Sequence, residues 1–150
     1  MQITSAHNEI YKRTKKLISK KSYRYEEKKF FIEGIRLFED ALRSGYKPEY
    51  VFLRDGSEYD IDERYLTYTL SRDLFDSLCD TKNPQPAAAV FNMKKESHDL
   101  VAEHSSEKLL ILCNIQDPGN MGTILRTAEA FGLNNIIITS DSVDIYSPKT

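Results

Sequence analysis

Residues 109–132 read LLILCNIQDPGNMGTILRTAEAFG, and this stretch limits the fold more tightly than any other. An apolar run over residues 109–115 meets a cluster of Gln, Asp, Pro, Gly and Asn. Apolar residues then recur at Met121, Ile124, Leu125, Ala128 and Phe131, the spacing of one helix face. Gly132 stands where a helix is expected to close. The next run, NNIIITS, carries three consecutive isoleucines, which predicts a strand buried on both faces. Strand, tight turn, helix and strand make a βαβ unit, and such a unit commits the chain to an α/β architecture. Residues 141–150, DSVDIYSPKT, read as a loop, so the unit lacks the strands and helices needed to cover its sheet.

The first half of the chain reads as a separate α/β unit. A helix is predicted over residues 5–20, capped by Ser5, with Ile10, Thr14, Leu17 and Ile18 on one stripe. The segment KSYRYEEKKF breaks that pattern and mixes aromatic with basic residues. Such a mixture suits stacking and phosphate contact on RNA, and Tyr23 and Tyr25 suit packing on a core equally well. Strands are predicted at residues 30–32, over EYVFLRD, over YLTYTL and over AAAVFNM. Between them lie a helix with Ile35, Phe38, Ala41 and Leu42 on one face, ended by Gly45, and a short helix over residues 72–79 behind Ser71. The alternation predicts a mostly parallel sheet. Residues 94–107 read as a polar linker, giving domains at 1–93 and 108–150.

Charge is distributed unevenly. The net charge is −2, yet residues 1–30 hold nine Lys and Arg against three Glu. Lys12, Arg13, Lys15, Lys16, Lys20, Lys21, Arg24 and Lys28 are the candidate contacts to a polyanion, nucleic acid first; a solvated helix face is the alternative. No apolar run approaches the roughly 20 residues of a membrane span, so no membrane partner is expected. The amino terminus has no apolar core of a secretory signal, and a cytoplasmic protein is expected. The two cysteines, Cys79 and Cys113, lie in apolar surroundings and are expected to be buried thiols. His98 and His104 have no companions at ligand spacing, so no metal is expected.

The QDPGNMG turn falls where open α/β sheets collect ligands, outside the carboxyl end of a strand. The helix behind it is expected to offer backbone N–H groups to a phosphate, with Asn120 as its cap. Arg126 stands four residues after Gly122, off the apolar stripe, within reach of a group held at the turn. A plain connector with a surface arginine is the alternative reading. The spacing is neither that of a dinucleotide fingerprint nor that of a P-loop.

Residues 114–132, NIQDPGNMGTILRTAEAFG, resemble the first motif of the SpoU/TrmH family of RNA ribose 2′-O-methyltransferases, part of the SPOUT class. Asp117, Pro118, Asn120, Gly122, Arg126, Ala128 and Gly132 match its pattern. The first half is similar to the family's substrate-binding domain, including the IEG turn and the TKNPQP segment, and DIYSPKT resembles the loop after the second strand. The resemblance implies a substrate-binding domain followed by the opening βαβ portion of a knotted methyltransferase domain. It implies S-adenosylmethionine as methyl donor, ribosomal or transfer RNA as substrate, and a homodimer. Arg126 and Asn120 are then the catalytic residues. The family's later motifs, which build most of the cofactor pocket and the knot, have no counterpart in the 150 residues. The chain is therefore expected to be an amino-terminal fragment, inactive alone. A non-catalytic RNA-binding module is the alternative, and a small-molecule enzyme with a nucleotide-binding domain is a distant third.

Overall fold

The computed structural model describes residues 1–79, 81, 83–94, 108–133 and 135–150. The expected linker, with His98 and His104, lies almost wholly outside the described residues. The chain divides into two compact units, residues 1–94 and 95–150.

The first unit contains β1 (Gln2–Ile3), α1 (Glu9–Ser19), α2 (Lys21–Glu27), β2 (Lys29–Glu33), α3 (Ile35–Arg43), β3 (Pro48–Arg54), β4 (Thr67–Leu70), α4 (Arg72–Asp76) and β5 (Ala87–Asn92). Its five strands form one sheet in the order β1-β4-β3-β5-β2. The mostly parallel sheet expected from the alternation is corrected to a mixed one. β1 and β3 pair parallel with β4, while β5 pairs antiparallel with both β3 and β2. The reason lies in α4, which has only five residues and cannot carry the chain back along the sheet. β5 instead starts at the end where its neighbours finish: Gly34 donates to the Ala87 carbonyl and Arg54 to the Pro86 carbonyl, both at 2.9 Å.

Side chains alternate across this sheet. Phe31, Tyr50, Phe52, Ala88 and Val90 face a core shared with Tyr11, Leu17, Phe75 and Leu78 from α1 and the α4 region. Phe30, Ile32, Val51, Ala89 and Phe91 face a second core with Phe38, Ala41 and Leu42 of α3. Both faces of the sheet are thus covered by helices.

Local differences from the sequence reading have local causes. α1 begins at Glu9, not near Ser5, because the Asn8 side chain accepts the Ile10 and Tyr11 N–H groups at 2.9 and 3.3 Å. Ser5 Oγ accepts only the His7 N–H. The KSYRYEEKKF segment does not break into coil: it forms α2 after a single extended residue, Lys20. Arg24 on α2 reaches back to the Leu17 and Ile18 carbonyls at the end of α1, at 2.5 and 3.0 Å. These carbonyls have no intrahelical donors, so the guanidinium binds the two helices together. Lys28 closes α2 in the left-handed conformation, φ 53°. α4 stops at Asp76, short of the expected Cys79, and Ser71 caps it without a side-chain hydrogen bond.

The second unit is a βαβ hairpin of parallel strands: β6 (Leu109–Leu112), α5 (Pro118–Ala130) and β7 (Asn135–Ile138). Met121 and Ala128 are buried on α5, and Leu112 on β6. The expectation that these strands are buried on both faces is corrected. Ile111 pairs with Ile137 in register, and with Leu109 they leave one face open, at 56%, 39% and 44% exposure. Phe131, expected on the apolar helix face, is 79% exposed. The helix has already ended there: Leu133 donates to the Ala128 carbonyl and Gly132 takes φ 69°, which swings Phe131 off the stripe. Cys113, expected to be buried, is exposed, and Cys79 is half-buried.

Among the described residues no helix is long and apolar enough to cross a membrane, and no cluster of three or more metal-ligating side chains occurs.

Candidate active site

The site is built from the loops that leave the carboxyl ends of β6 and β7. Asn114 takes the left-handed conformation, φ 53°, which Asn tolerates better than most residues, and this turns the chain sharply out of β6. A ladder of hydrogen bonds then joins the two loops. Asn114 N–H donates to Thr139 Oγ1 at 3.1 Å, Ile115 N–H to Ser142 Oγ at 3.1 Å, and Val143 N–H to the Ile115 carbonyl at 2.7 Å. Gln116 adds its side-chain amide, whose Nε2 donates to Asn114 Oδ1 and to the Asp141 carbonyl, both at 2.6 Å. Ser142 and Asp144 are buried in this junction.

Pro118 opens α5 at a position where the missing N–H costs nothing. The cap is Asp117, whose Oδ1 accepts the Asn120 N–H at 2.7 Å. This corrects the assignment of Asn120 as the cap. It also corrects the idea of an open phosphate cradle at the helix start, because a carboxylate already occupies that end. The consequence is favourable for chemistry: Asn120 is released from capping, and its exposed amide lines a cavity instead. That cavity is open, measures about 440 Å³, and is bounded by residues 114–117 with Asn120, Thr123 and Ile124.

Arg126 lies one turn further along α5 and is exposed. Its guanidinium folds back toward the helix start, with NH2 at 3.5 Å from Thr123 Oγ1. NH1 lies 3.6 Å from the point where a Cβ on Gly122 would sit. Gly122 itself is buried, and a Cβ there would meet the Thr150 carbonyl oxygen at 2.2 Å. The motif glycine therefore admits the backbone of the 144–150 loop against the helix. That loop is held by its own turn bonds, Tyr146 N–H to Asp144 Oδ1 and Thr150 Oγ1 to the Asp144 carbonyl, at 3.0 and 2.9 Å. Asn120, Gly122 and Arg126 thus differ in placement: a free amide at the cavity, space for a packed loop, and an exposed cation beside Thr123.

Profiles of two families match the chain. Residues 8–89 match the MRM3-like substrate binding domain, and residues 107–150 match the SpoU rRNA Methylase family. The chain belongs to the SpoU rRNA methylase family. Among its relatives, the chain is similar to the 23S rRNA (guanosine(2553)-2′-O)-methyltransferase RlmP of Bacillus subtilis, at 36% identity over 99% of this chain and 58% of that protein. It is similar to the human mitochondrial rRNA methyltransferase 3 at 31% identity, over 89% of this chain and 34% of that protein. An AdoMet-bound rRNA methyltransferase from Sinorhizobium meliloti superimposes with a TM-score of 0.83 at 26% identity, over 99% of this chain and 58% of that one. The chain thus spans a little over half the length of the bacterial family members and about a third of the mitochondrial one.

The basic residues of the substrate-binding unit do not form one uniform surface. Lys12, Lys16, Lys20, Lys21 and Lys28 are exposed. Lys16 and Lys21 lie over the Tyr23 and Tyr25 rings at 5.7 and 5.9 Å. Lys15 is half-buried and bonded to the Ser77 carbonyl. Arg13 pairs with Glu27 and, at 3.6 Å, with Glu49, and the hydrogen bond to Glu27 raises its pKa further while lowering that of Glu27. Arg24, expected on the polyanion-facing surface, is buried at 4% exposure and is taken up in tying α1 to α2. Tyr23 packs against the core, while Tyr25 keeps 38% of its surface exposed. Sequence reasoning missed the bridging role of Gln116 and the capping role of Asp117. Asp before Pro at a helix start signals the second; nothing local signals the first, since its partner is 25 residues away.

Proposed function

We propose that the native polypeptide transfers a methyl group from S-adenosylmethionine to a ribose 2′-OH of ribosomal RNA. Residues 1–94 bind the RNA, and the turn at residues 114–126 is the acceptor side of the active site. The observation that carries this reading is the turn itself. A free Asn120 amide lines the cavity, and the Arg126 guanidinium folds back to Thr123 on its wall, in a member of the SpoU rRNA methylase family. The relatives' own substrates, ribosomal RNA in the Bacillus subtilis and human proteins, favour ribosomal over transfer RNA.

A 2′-OH is a poor nucleophile and reacts when its developing charge is stabilised and its oxygen is aimed. Arginine holds its proton too tightly to act as a base, so Arg126 orients a neighbouring phosphate and offsets negative charge on the oxygen. Asn120 positions the ribose by hydrogen bonding. S-adenosylmethionine supplies the electrophilic methyl group. The cavity is open, and its wall sets the amides of Asn114, Gln116 and Asn120 among the apolar side chains of Ile115 and Ile124, which suits a nucleotide better than the whole cofactor. We therefore assign most of the cofactor pocket, the knot and the homodimer contact to polypeptide beyond these residues. The same material covers Leu109, Ile111 and Ile137, whose exposure fits a sheet designed to be extended. The chain alone is then inactive. On this reading the protein acts in the cytoplasm.

The exposed lysines 12, 16, 20, 21 and 28 supply sequence-independent attraction to phosphates. The test is direct. The native polypeptide is captured from the source cell through residues 1–94, its mass is measured, and it is incubated with labelled S-adenosylmethionine and ribosomal RNA. A mass greater by about one small domain, with label in ribose 2′-O-methyl groups, supports the reading. A polypeptide of this chain's mass that binds RNA without methylating it establishes the RNA-binding module instead.

A further inference from the structure

The wall of the cavity holds two side-chain amides whose orientation is set by the fold. Gln116 donates both hydrogens of Nε2, one to Asn114 Oδ1 and one to the Asp141 carbonyl, each at 2.6 Å. Among the described residues no donor meets its Oε1, which is left as an acceptor on a residue that lines the cavity. Asn114 accepts with Oδ1, which leaves its Nδ2 as a donor on the same wall. The loop ladder from Asn114 to Thr139 and from Ile115 to Ser142 fixes the backbone beneath both. A spare acceptor and a spare donor on two neighbouring side chains that are hydrogen-bonded to each other are the groups that paired recognition of a base edge requires.

We infer that Gln116 Oε1 and Asn114 Nδ2 read the hydrogen-bonding edge of the base on the nucleotide to be methylated, and so set which base is accepted. This rests on the methyltransferase reading above. Asn120 and Arg126 act on ribose and phosphate, which every nucleotide shares, and so supply no base discrimination. The Gln116–Asn114 pair shares the cavity wall with Asn120 and carries the only two other side-chain amides there among the described residues. Removing one partner of a paired contact leaves a donor or acceptor on the base unmet, and selectivity falls.

The experiment uses the native polypeptide and four short RNAs that differ only in the base at the methylated position. Methylation rates are measured for wild type, Gln116→Leu and Asn114→Gly, the second chosen because glycine keeps the left-handed backbone at φ 53°. Gln116→Lys is the control for the bridge, since an ammonium still donates to Asn114 Oδ1 and the Asp141 carbonyl but has no acceptor. The expected result is a loss of preference between the best and the second-best base by about 5- to 150-fold in all three variants. A purely structural role lowers all four rates by one factor, leaves the preference intact, and is rescued in Gln116→Lys; that result overturns the inference and leaves the enzymatic reading standing. Wild type that methylates none of the RNAs, nor whole ribosomal RNA, overturns both.

Discussion

The sheet of residues 1–94 and the strand pair of residues 108–150 are made from the same kind of apolar strand, and they differ in what covers them. Phe31 and Phe52 in the first are 2% and 0% exposed, while Ile111 in the second is 56% exposed. In the first unit, helices close both faces, and alternate residues of β2, β3 and β5 feed two cores. In the second, α5 covers one face and the other stays open. The contrast shows that an apolar run specifies a strand, whereas its burial depends on partners elsewhere in the polypeptide. The two units also differ in what they present: the closed one a charged surface, the open one the loops of the proposed site.

The largest expected difference tests this contrast in denaturant. Phe52→Ala should cost about 3–5 kcal/mol, read from chemical unfolding of residues 1–150. Ile111→Ala should cost less than about 1 kcal/mol, since its side chain already meets solvent. Comparable losses at both sites would mean that the open face is covered in solution. In the native polypeptide, if it covers this face as proposed, Ile111→Asp should instead lower the melting temperature clearly.

Next in size are the effects on the turn. Arg126→Lys should reduce methylation by the native polypeptide about 10²-fold while changing stability by no more than about 0.5 kcal/mol. Near-normal activity would remove the forked guanidinium from the mechanism. Gly122→Ala should act through packing: its methyl group collides with the Thr150 carbonyl, so the 144–150 loop must move. The measurable outcome is increased amide exchange over residues 144–150 with that of residues 1–94 unchanged. Unaltered exchange in the loop would show that the loop does not depend on the glycine.

A smaller effect concerns the charged surface. Replacing Lys16, Lys20 and Lys21 together with Gln should reduce the slope of log affinity against log salt by about 2 without altering the unfolding midpoint. An unchanged slope would place the RNA on another face. The smallest perturbation compares the two thiols. Burial, with the Glu33 and Asp76 carboxylates nearby, pushes Cys79 up to about 12 from an ordinary value of 9.0. A raised folded-state pKa favours the neutral thiol, so its contribution to stability is complete below pH 9 and is lost as pH rises toward 12. Iodoacetamide at pH 8 should therefore label the exposed Cys113 quickly and Cys79 only on unfolding. Equal labelling would show that the first unit opens as readily as the second.

Much of this organisation is readable along the chain, because hydrophobic period and turn chemistry are local. The strand–turn–helix at residues 109–132, the helix face of Phe38, Ala41 and Leu42, and the closing glycines at 45 and 132 all follow from spacing. The candidate site is readable in part. Arg126 stands out by its offset from Gly122, but Asn120 reads as a cap only until Asp117, three residues earlier, starts the helix first by accepting the Asn120 N–H. Arg24 reads as surface charge, since its composition-level signal is that of any basic residue in a basic segment. Burial arises only once α2 folds back on α1 and offers it two carbonyls.

What the sequence by itself determines here is the identity of the elements and the chemical groups at the turn, since both depend on residues a few positions apart. The tertiary structure decides the antiparallel insertion of β5, the open face of β6 and β7, and the joining of the 114–116 and 139–143 loops. Each depends on groups tens of residues apart meeting in space. Hydrogen-bond and packing energies fall off over a few ångströms, so such choices are fixed only where the chain brings those groups together.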